Sequence, residues 1–223
     1  MLHDLRLFAA SHIQGNDVEF RDDVFVKRYK RLHLPGLWGF LERRIGGSPY
    51  ERMDREVTKL TVLEDHHINA PRIRRADFRE RELHLEIVPD SSQLRSVLAN
   101  GSVSQDRKLS FVEATFALLK SMHAHHIAHG DALTKNYMLS NGVPFGCDFE
   151  HEREFDDALA FDVRLLAADT VYWLGKGSLP EVKRAIRSGY GPIQKVVPLP
   201  AERFFFRGRF GSSEEFFDFF YKE

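Results

Sequence analysis

The sequence predicts an α+β fold in two lobes: a small antiparallel sheet with one helix over residues 1–89, and a mainly helical part over 90–223. Three observations carry this. Runs rich in β-branched and aromatic residues cluster before Pro89, and the longest helical periodicities lie after it. Between them, Pro89-Asp90-Ser91-Ser92 breaks the chain.

The 223 residues suffice for one large domain or for two small lobes sharing a cleft. Apolar residues make up 43%, enough for a core, and 29% are charged, enough for a solvated surface. A net charge of −1 supplies no global field towards nucleic acid, so no nucleic-acid partner is expected. The single cysteine, Cys147, excludes an intrachain disulfide framework and fits a reducing compartment. There is no apolar run of about 18 residues, and the first residues lack the basic start and long apolar centre of a signal peptide. The expectation is a cytoplasmic protein.

The elements follow in order. Gly15-Asn16-Asp17 is a turn signal and predicts a weak hairpin within the first twenty residues. Asp23–Tyr29, DVFVKRY, predicts a strand with Lys27 inside it. Residues 30–49, KRLHLPGLWGFLERRIGGSP, are basic and broken by Pro35, Gly36, Gly46 and Gly47, which predicts an irregular loop with one short helical turn. Ser48-Pro49-Tyr50-Glu51 combines a cap, a proline suited to the first helical position and a capping box, so a helix should run to about His66. Met53, Val57, Leu60 and Glu64 are spaced for one face, with Glu56 and Leu63 beside it. Glu56 then points to the core edge, where a carboxylate needs a partner.

Strands are predicted around Arg72–Phe78 and Glu82–Val88. After the break, a helix over 93–99 leads to a longer one, Leu109–Ile127, with Val112, Phe116, Leu119 and Met122 at helical spacing. Short strands at Tyr137-Met138-Leu139 and Val143–Phe149 precede helices over Phe161–Leu174 and Pro180–Ser188. The C-terminal part carries Phe204, Phe205, Phe206, Phe210, Phe216, Phe217, Phe219 and Phe220. So many rings cannot all stay exposed, and they predict core or a dimer contact.

One stretch, HGDALTKNYMLSNGVPFGCDFE (129–150), sets Asp131, Asn136 and Asp148 at the edges of apolar runs. Phosphoryl transfer from ATP needs a cation on the phosphates, oxygen ligands for Mg²⁺, and a carboxylate beside the attacking hydroxyl. Asn136 and Asp148 suit the metal, Asp131 suits the hydroxyl, Lys27 suits the phosphates, and Glu56 would hold Lys27 in place.

In this order the pieces resemble the protein-kinase-like superfamily. His129 to Asn136 resembles its catalytic loop, including Lys135 as a nucleotide contact, and Asp148-Phe149-Glu150 resembles its metal-binding segment. Val24-Phe25-Val26-Lys27 resembles the strand with the ATP lysine, Glu56 matches the helix partner, and Glu86-Ile87-Val88 resembles the adenine-contacting hinge. The resemblance implies that Asp162 braces the loop backbone and that His129 packs beneath it. The HGD loop and the short helical part are similar to Bud32/RIO-like atypical kinases and to the lipopolysaccharide-kinase branch. VFVKRYK together with ERMDREVTKLTVLEDHHINAPRI is most similar to bacterial lipopolysaccharide core kinases of the Kdo/WaaP and InaA type. That resemblance implies ATP and Mg²⁺ as cofactors and a sugar hydroxyl of the lipopolysaccharide core, or another anionic glycolipid, as acceptor, with work at the inner face of the cytoplasmic membrane. The chain departs from the superfamily in three places: no glycine-rich loop precedes Lys27, Glu150 stands where strict protein kinases have glycine, and no long activation segment follows. A Bud32/RIO-like protein kinase and a catalytically inactive pseudokinase acting as a binding module are the alternatives.

Three other features have competing readings. His123 and His126 stand at helical i, i+3 spacing, but a zinc site would add cysteine or carboxylate ligands at set spacing, so His125 and His126 are read as covering a helix end. Basic residues between Lys27 and Arg44, interleaved with Leu34, Leu37, Trp38 and Phe40, form either a solvated face or a peripheral-membrane and anionic-substrate patch. Cys147 is read as an inert buried thiol.

Overall fold

The N-terminal signal resolves into a hairpin whose turn lies later than the sequence suggests. In the computed structural model, which describes residues 16–21, 23–30, 47–151, 157–193, 206–208, 210–212 and 214–221, β1 (Asn16–Arg21) pairs antiparallel with β2 (Val24–Tyr29). Asn16 and Asp17 are therefore strand residues, opposite Tyr29 and Arg28, and the last pair of the hairpin is Arg21 with Val24. The alternation Val18, Phe20 outweighs the turn propensity of Gly-Asn-Asp, and Asn16 Nδ2 donates to a long-range partner, Glu150. The predicted loop over residues 31–46 lies outside the described residues.

α1 (Pro49–Asp65) starts as its capping box predicts: Glu51 N–H donates to Ser48 Oγ, and Ser48 N–H donates back to the Glu51 carboxylate. Its buried stripe is Arg52, Met53, Glu56, Leu60 and Leu63; Val57 is half-buried and Glu64 exposed. The inward face is thus turned so that Glu56 lies at its centre rather than its edge, because the strand opposite supplies polar partners there.

β3 (Ile73–Asp77) and β4 (Glu82–Glu86) complete a four-stranded antiparallel sheet in the order β1-β2-β4-β3. The break at Pro89 does not end strand structure. β5 (Ser91–Gln93) pairs with β6 (Tyr137–Ser140), which pairs with β7 (Val143–Gly146), giving a second antiparallel sheet in the order β5-β6-β7. A three-residue strand of Ser and Gln carries no hydrophobic period by which to read it.

The remainder of the described chain is mainly helical: α2 (Leu94–Ala99), α3 (Gln105–Ala124), α4 (Ala158–Leu174), α5 (Leu179–Gly189) and α6 (Glu214–Phe220). α3 begins earlier than its apolar period suggests, because Ser104 caps it, accepting from Arg107 N–H at 3.4 Å, and its first turn is polar. It ends at His125 as expected for a helix-end histidine, with His126 in the left-handed region (φ 58°) and Ile127 N–H returning to Met122 O at 3.1 Å. α5 packs closely on α3: a Cβ at Gly189 would lie 2.2 Å from Glu113 O.

The core runs from Met53, Leu60 and Leu83 through Phe116, Leu119 and Met122 to Phe149, Leu165 and Leu166. The described C-terminal rings join it: Phe206, Phe210, Phe216, Phe217 and Phe220 are all buried, and Phe216 and Phe220 approach to 4.8 Å between centroids. The core reading therefore holds for these; Phe204 and Phe205 lie outside the described residues. Among the described residues no helix is long and apolar enough to cross a membrane. The protein is a mixed α/β fold with small antiparallel sheets and several helices.

Candidate active site

A cleft of roughly 820 Å³, part of it open to solvent, lies against β1, β2, β4 and the segment that follows β7. Val18, Phe20 and Phe25 of the hairpin line it, with Leu60 of α1, Leu85 of β4 and Met138 of β6. The segment Glu86-Ile87-Val88 borders it beside this apolar lining. Its polar lining includes Lys27, Glu56, Asp148 and Glu150.

Lys27 is the centre of that group. β2 alternates, and Val26 and Lys27 are both buried, so the strand commits its lysine to the interior. Lys27 Nζ donates to Glu56 Oε2 at 2.6 Å and to Asp148 Oδ1 at 2.5 Å, and lies 3.1 Å from Glu150 Oε2. Tyr29 OH also donates to Glu56 Oε2, at 2.5 Å. Burial works against the lysine charge, but Asp148, Glu150 and Glu56 together outweigh it and hold the amine well above its usual value. Burial likewise raises the Glu56 carboxyl, while Lys27 opposes the shift. A buried charge without partners would be very costly, and here each has one.

Glu150 ties in two further elements, β1 and α1. Its Oε2 accepts from Asn16 Nδ2 at 2.6 Å, and its Oε1 lies 3.3 Å from Arg52 Nη1. Arg52 is itself buried and donates through Nη2 to Lys30 O at 2.5 Å.

The second half of the site is the loop 129–136. Asp162, fully buried on α4, accepts from His129 N–H at 2.6 Å and from Gly130 N–H at 3.0 Å. Asp169, two turns on, accepts from Thr134 N–H at 2.7 Å and from Thr134 Oγ1 at 2.6 Å. One helix thus clamps both ends of the loop with carboxylates on backbone donors, a strong class of hydrogen bond. Gly130 has φ 86°, and a Cβ there would sit 2.4 Å from His151 O, so this position admits glycine alone. His129 is buried beneath the loop against Phe149 and Tyr137, with ring centroids at 4.7 and 5.3 Å. Burial lowers its pKa below the ordinary histidine value, against the pull of Asp162 and Asp131.

Asp131 and Asn136 face each other: Asn136 Nδ2 donates to Asp131 O at 2.7 Å and to Asp131 Oδ2 at 3.0 Å. Lys135 Nζ lies 3.4 Å from the same Oδ2. The loop joins the lysine cluster through Cys147 N–H, which donates to Asn136 O at 2.9 Å, one residue before Asp148. Asp148 itself holds φ 66°, a conformation that aspartate tolerates better than most residues and that turns its carboxylate towards Lys27.

Of the residues singled out from the sequence, Lys27, Glu56 and Asp148 are thus in direct contact. Glu86 and Val88 border the same cleft, and Asp131, Lys135 and Asn136 form a second cluster on a loop held by His129 and Asp162. Cys147 is partly exposed to the cleft, where burial and then Asp148 push its thiol well above the usual value. His123 contacts Tyr190 OH at 2.7 Å and Asp162 at 3.4 Å. Of the basic segment, Lys27, Arg28 and Lys30 pair with described acids, including Glu82 and Asp17; Leu34, Leu37, Trp38, Phe40 and Arg44 lie outside the described residues.

Sequence reading missed Glu150 as a participant, with Asn16, Arg52, Tyr29 and Asp169. The one available signal was the closeness of Glu150 to Asp148 in the chain; with Asp148 at φ 66° the stretch is not extended, so strand alternation does not predict the shared side.

Three carboxylates offer a divalent cation donors of a suitable kind, with the Lys27 ammonium already in contact with all three. Carboxylate oxygens of Glu56, Asp148 and Glu150 all lie within 4.8 Å of one another, hard donors of the kind Mg²⁺ takes. Asp148 is the most exposed of the three, its side chain 19% exposed against 1% for Glu56 and 8% for Glu150. Compared with known proteins, the chain matches no family model and no curated sequence.

Proposed function

We propose that this protein is an ATP- and Mg²⁺-dependent phosphotransferase of two-lobed, kinase-like architecture that phosphorylates a hydroxyl. The observation that carries the reading is Lys27, 2.6 Å from Glu56 and 2.5 Å from Asp148, at a cleft bordered by residues 86–88. A cation fixed by a helix carboxylate, beside an acid able to ligate metal, is the arrangement that neutralises and orients a triphosphate. Mg²⁺, when bound with nucleotide, neutralises phosphate charge and aligns the transferred group. Glu56 keeps the Lys27 ammonium oriented and charged. Asp131 accepts a hydrogen bond from the attacking hydroxyl, with its own carboxylate held by Asn136 and Lys135. Asp162 and Asp169 keep the loop from relaxing between turnovers.

The sequence resemblance extends the proposal to the acceptor: a sugar hydroxyl of lipopolysaccharide core or another anionic glycolipid, met at the inner membrane surface. A second reading, a kinase-shaped binding module without turnover, is favoured by one feature: Lys27 already contacts three carboxylates.

Thermal shift with ATP, with and without Mg²⁺, tests the first step, and transfer of labelled phosphate to purified core oligosaccharide tests the second. The wild type should gain stability with Mg-ATP, Asp148→Ala should lose that gain, and Asp131→Ala should keep binding but lose transfer. No shift with nucleotide would overturn the enzyme reading. A shift without transfer to any hydroxyl acceptor would favour the binding module.

A further inference from the structure

Glu150 stands two residues after the metal-ligating aspartate of the proposed site, and its carboxylate meets groups from three separate elements. Asn16 of β1 donates at 2.6 Å, Lys27 of β2 lies at 3.1 Å, and Arg52 of α1 lies at 3.3 Å. All four residues are buried. Arg52 and Glu56 are one helical turn apart on the same inward stripe of α1. The helix is therefore attached to the 148–150 segment at two successive turns: through Glu56 by way of Lys27 and Asp148, and through Arg52 by way of Glu150.

We infer that Glu150 is a positioning residue: with Arg52 it holds α1 against the cleft, so that the Lys27–Glu56 pair stays assembled without a separate activating event. The inference deepens the phosphotransfer reading and rests on it for the meaning of the nucleotide measurement, though not for the helix measurement.

The two attachments differ in what a bound nucleotide would do to them. Asp148 serves both Lys27 and the incoming metal, so its hold on the lysine weakens when metal arrives. Glu150 is more deeply buried and keeps its partners, which leaves Lys27 oriented by Glu56 and Glu150 while its ammonium turns to phosphate. Asn16 extends the same tie to the hairpin that lines the cleft. Each contact is charge-assisted or an amide on a carboxylate, the stronger kinds of hydrogen bond.

The test uses the full chain and two readouts. Backbone amide exchange of residues 52–60, without nucleotide, reports on α1; the dissociation constant for Mg-ATP reports on the site. In Glu150→Gln, exchange across α1 should quicken on the order of tenfold while α3 and α4 stay protected. ATP affinity should fall by about tenfold, with a larger effect on KM than on kcat. Arg52→Met should give the same pattern, and the double variant should be no worse than either single change, because both remove one tie. Arg52→Lys keeps the charge and serves if the other variants do not fold; it should lie between wild type and Arg52→Met. Unchanged α1 exchange, faster exchange spread evenly over α3 and α4, or fully additive losses in the double variant would overturn the inference. If the wild type binds no nucleotide, the phosphotransfer reading fails while the α1 exchange still decides the tie.

Discussion

At the scale of single residues, the site is built from charges that only make sense together. Lys27→Met would leave Glu56, Asp148 and Glu150 facing one another with no amine between them. Removing one partner of a buried ion pair typically costs about 3–5 kcal/mol. We expect a loss of that order in the unfolding free energy from urea titration, partly recovered in Lys27→Met/Glu56→Gln. His129 gives a pH dependence with a definite sign. Its folded pKa lies below the unfolded value of 6.5, so below that pH the unfolded chain takes up a proton that the folded protein refuses. Its stability contribution is complete above pH 6.5 and is lost as pH falls towards the folded value, at a slope of at most about 1.4 kcal/mol per pH unit. His129→Phe, which keeps the packing against Phe149 and Tyr137, should show a shallower loss between pH 6.5 and 5 in denaturant titrations. At Gly130, alanine meets both a positive φ and the carbonyl of His151, so Gly130→Ala should cost roughly 1–3 kcal/mol by the same measurement.

At the scale of elements, α4 is the part that makes the loop a fixed surface. Asp162→Asn keeps the volume but loses charge on two backbone donors, one at 2.6 Å and one at 3.0 Å. We expect a loss of roughly 2–3 kcal/mol in stability, and a larger relative loss in kcat than in nucleotide affinity, measured side by side. That split follows from position: the loop carries the proposed hydroxyl contact at Asp131 and, of the proposed nucleotide contacts, Lys135, while the others lie on β2, on residues 86–88 and after β7. α1 needs its start as well as its stripe. Ser48→Ala removes one half of the capping box and should cost about 1 kcal/mol, with fraying confined to the first turn by amide exchange.

At the scale of the whole molecule, the C-terminal aromatic segment is structural. Phe217 is fully buried, with Phe216 at 5.7 Å and Tyr221 at 5.7 Å between ring centroids. Phe217→Ala should cost about 3–5 kcal/mol in global unfolding. It should leave the ATP dissociation constant of the remaining folded protein nearly unchanged, since Phe217 is not among the residues that line the cleft. Electrostatic design at this scale is equally local. With a net charge of −1, neither lysine nor carboxylate at the site is favoured by the overall field, and each is held by partners distant in sequence, 29 residues for Glu56 and 121 for Asp148.

Composition, capping and period determined much of this from sequence alone. The start of α1, the strand with Lys27, and the spacing of Asp131, Asn136 and Asp148 are local facts, because caps, alternation and turns act over a few residues. What only the tertiary structure decided is which groups share a charge. Glu56 at the centre of its face, Glu150 in the lysine cluster, Arg52 beneath it and Ser91–Gln93 as a strand all depend on partners tens of residues away. Burial makes such partners obligatory, since a charge or an open strand edge removed from water must be satisfied, but no short-range pattern records which distant residue will satisfy it.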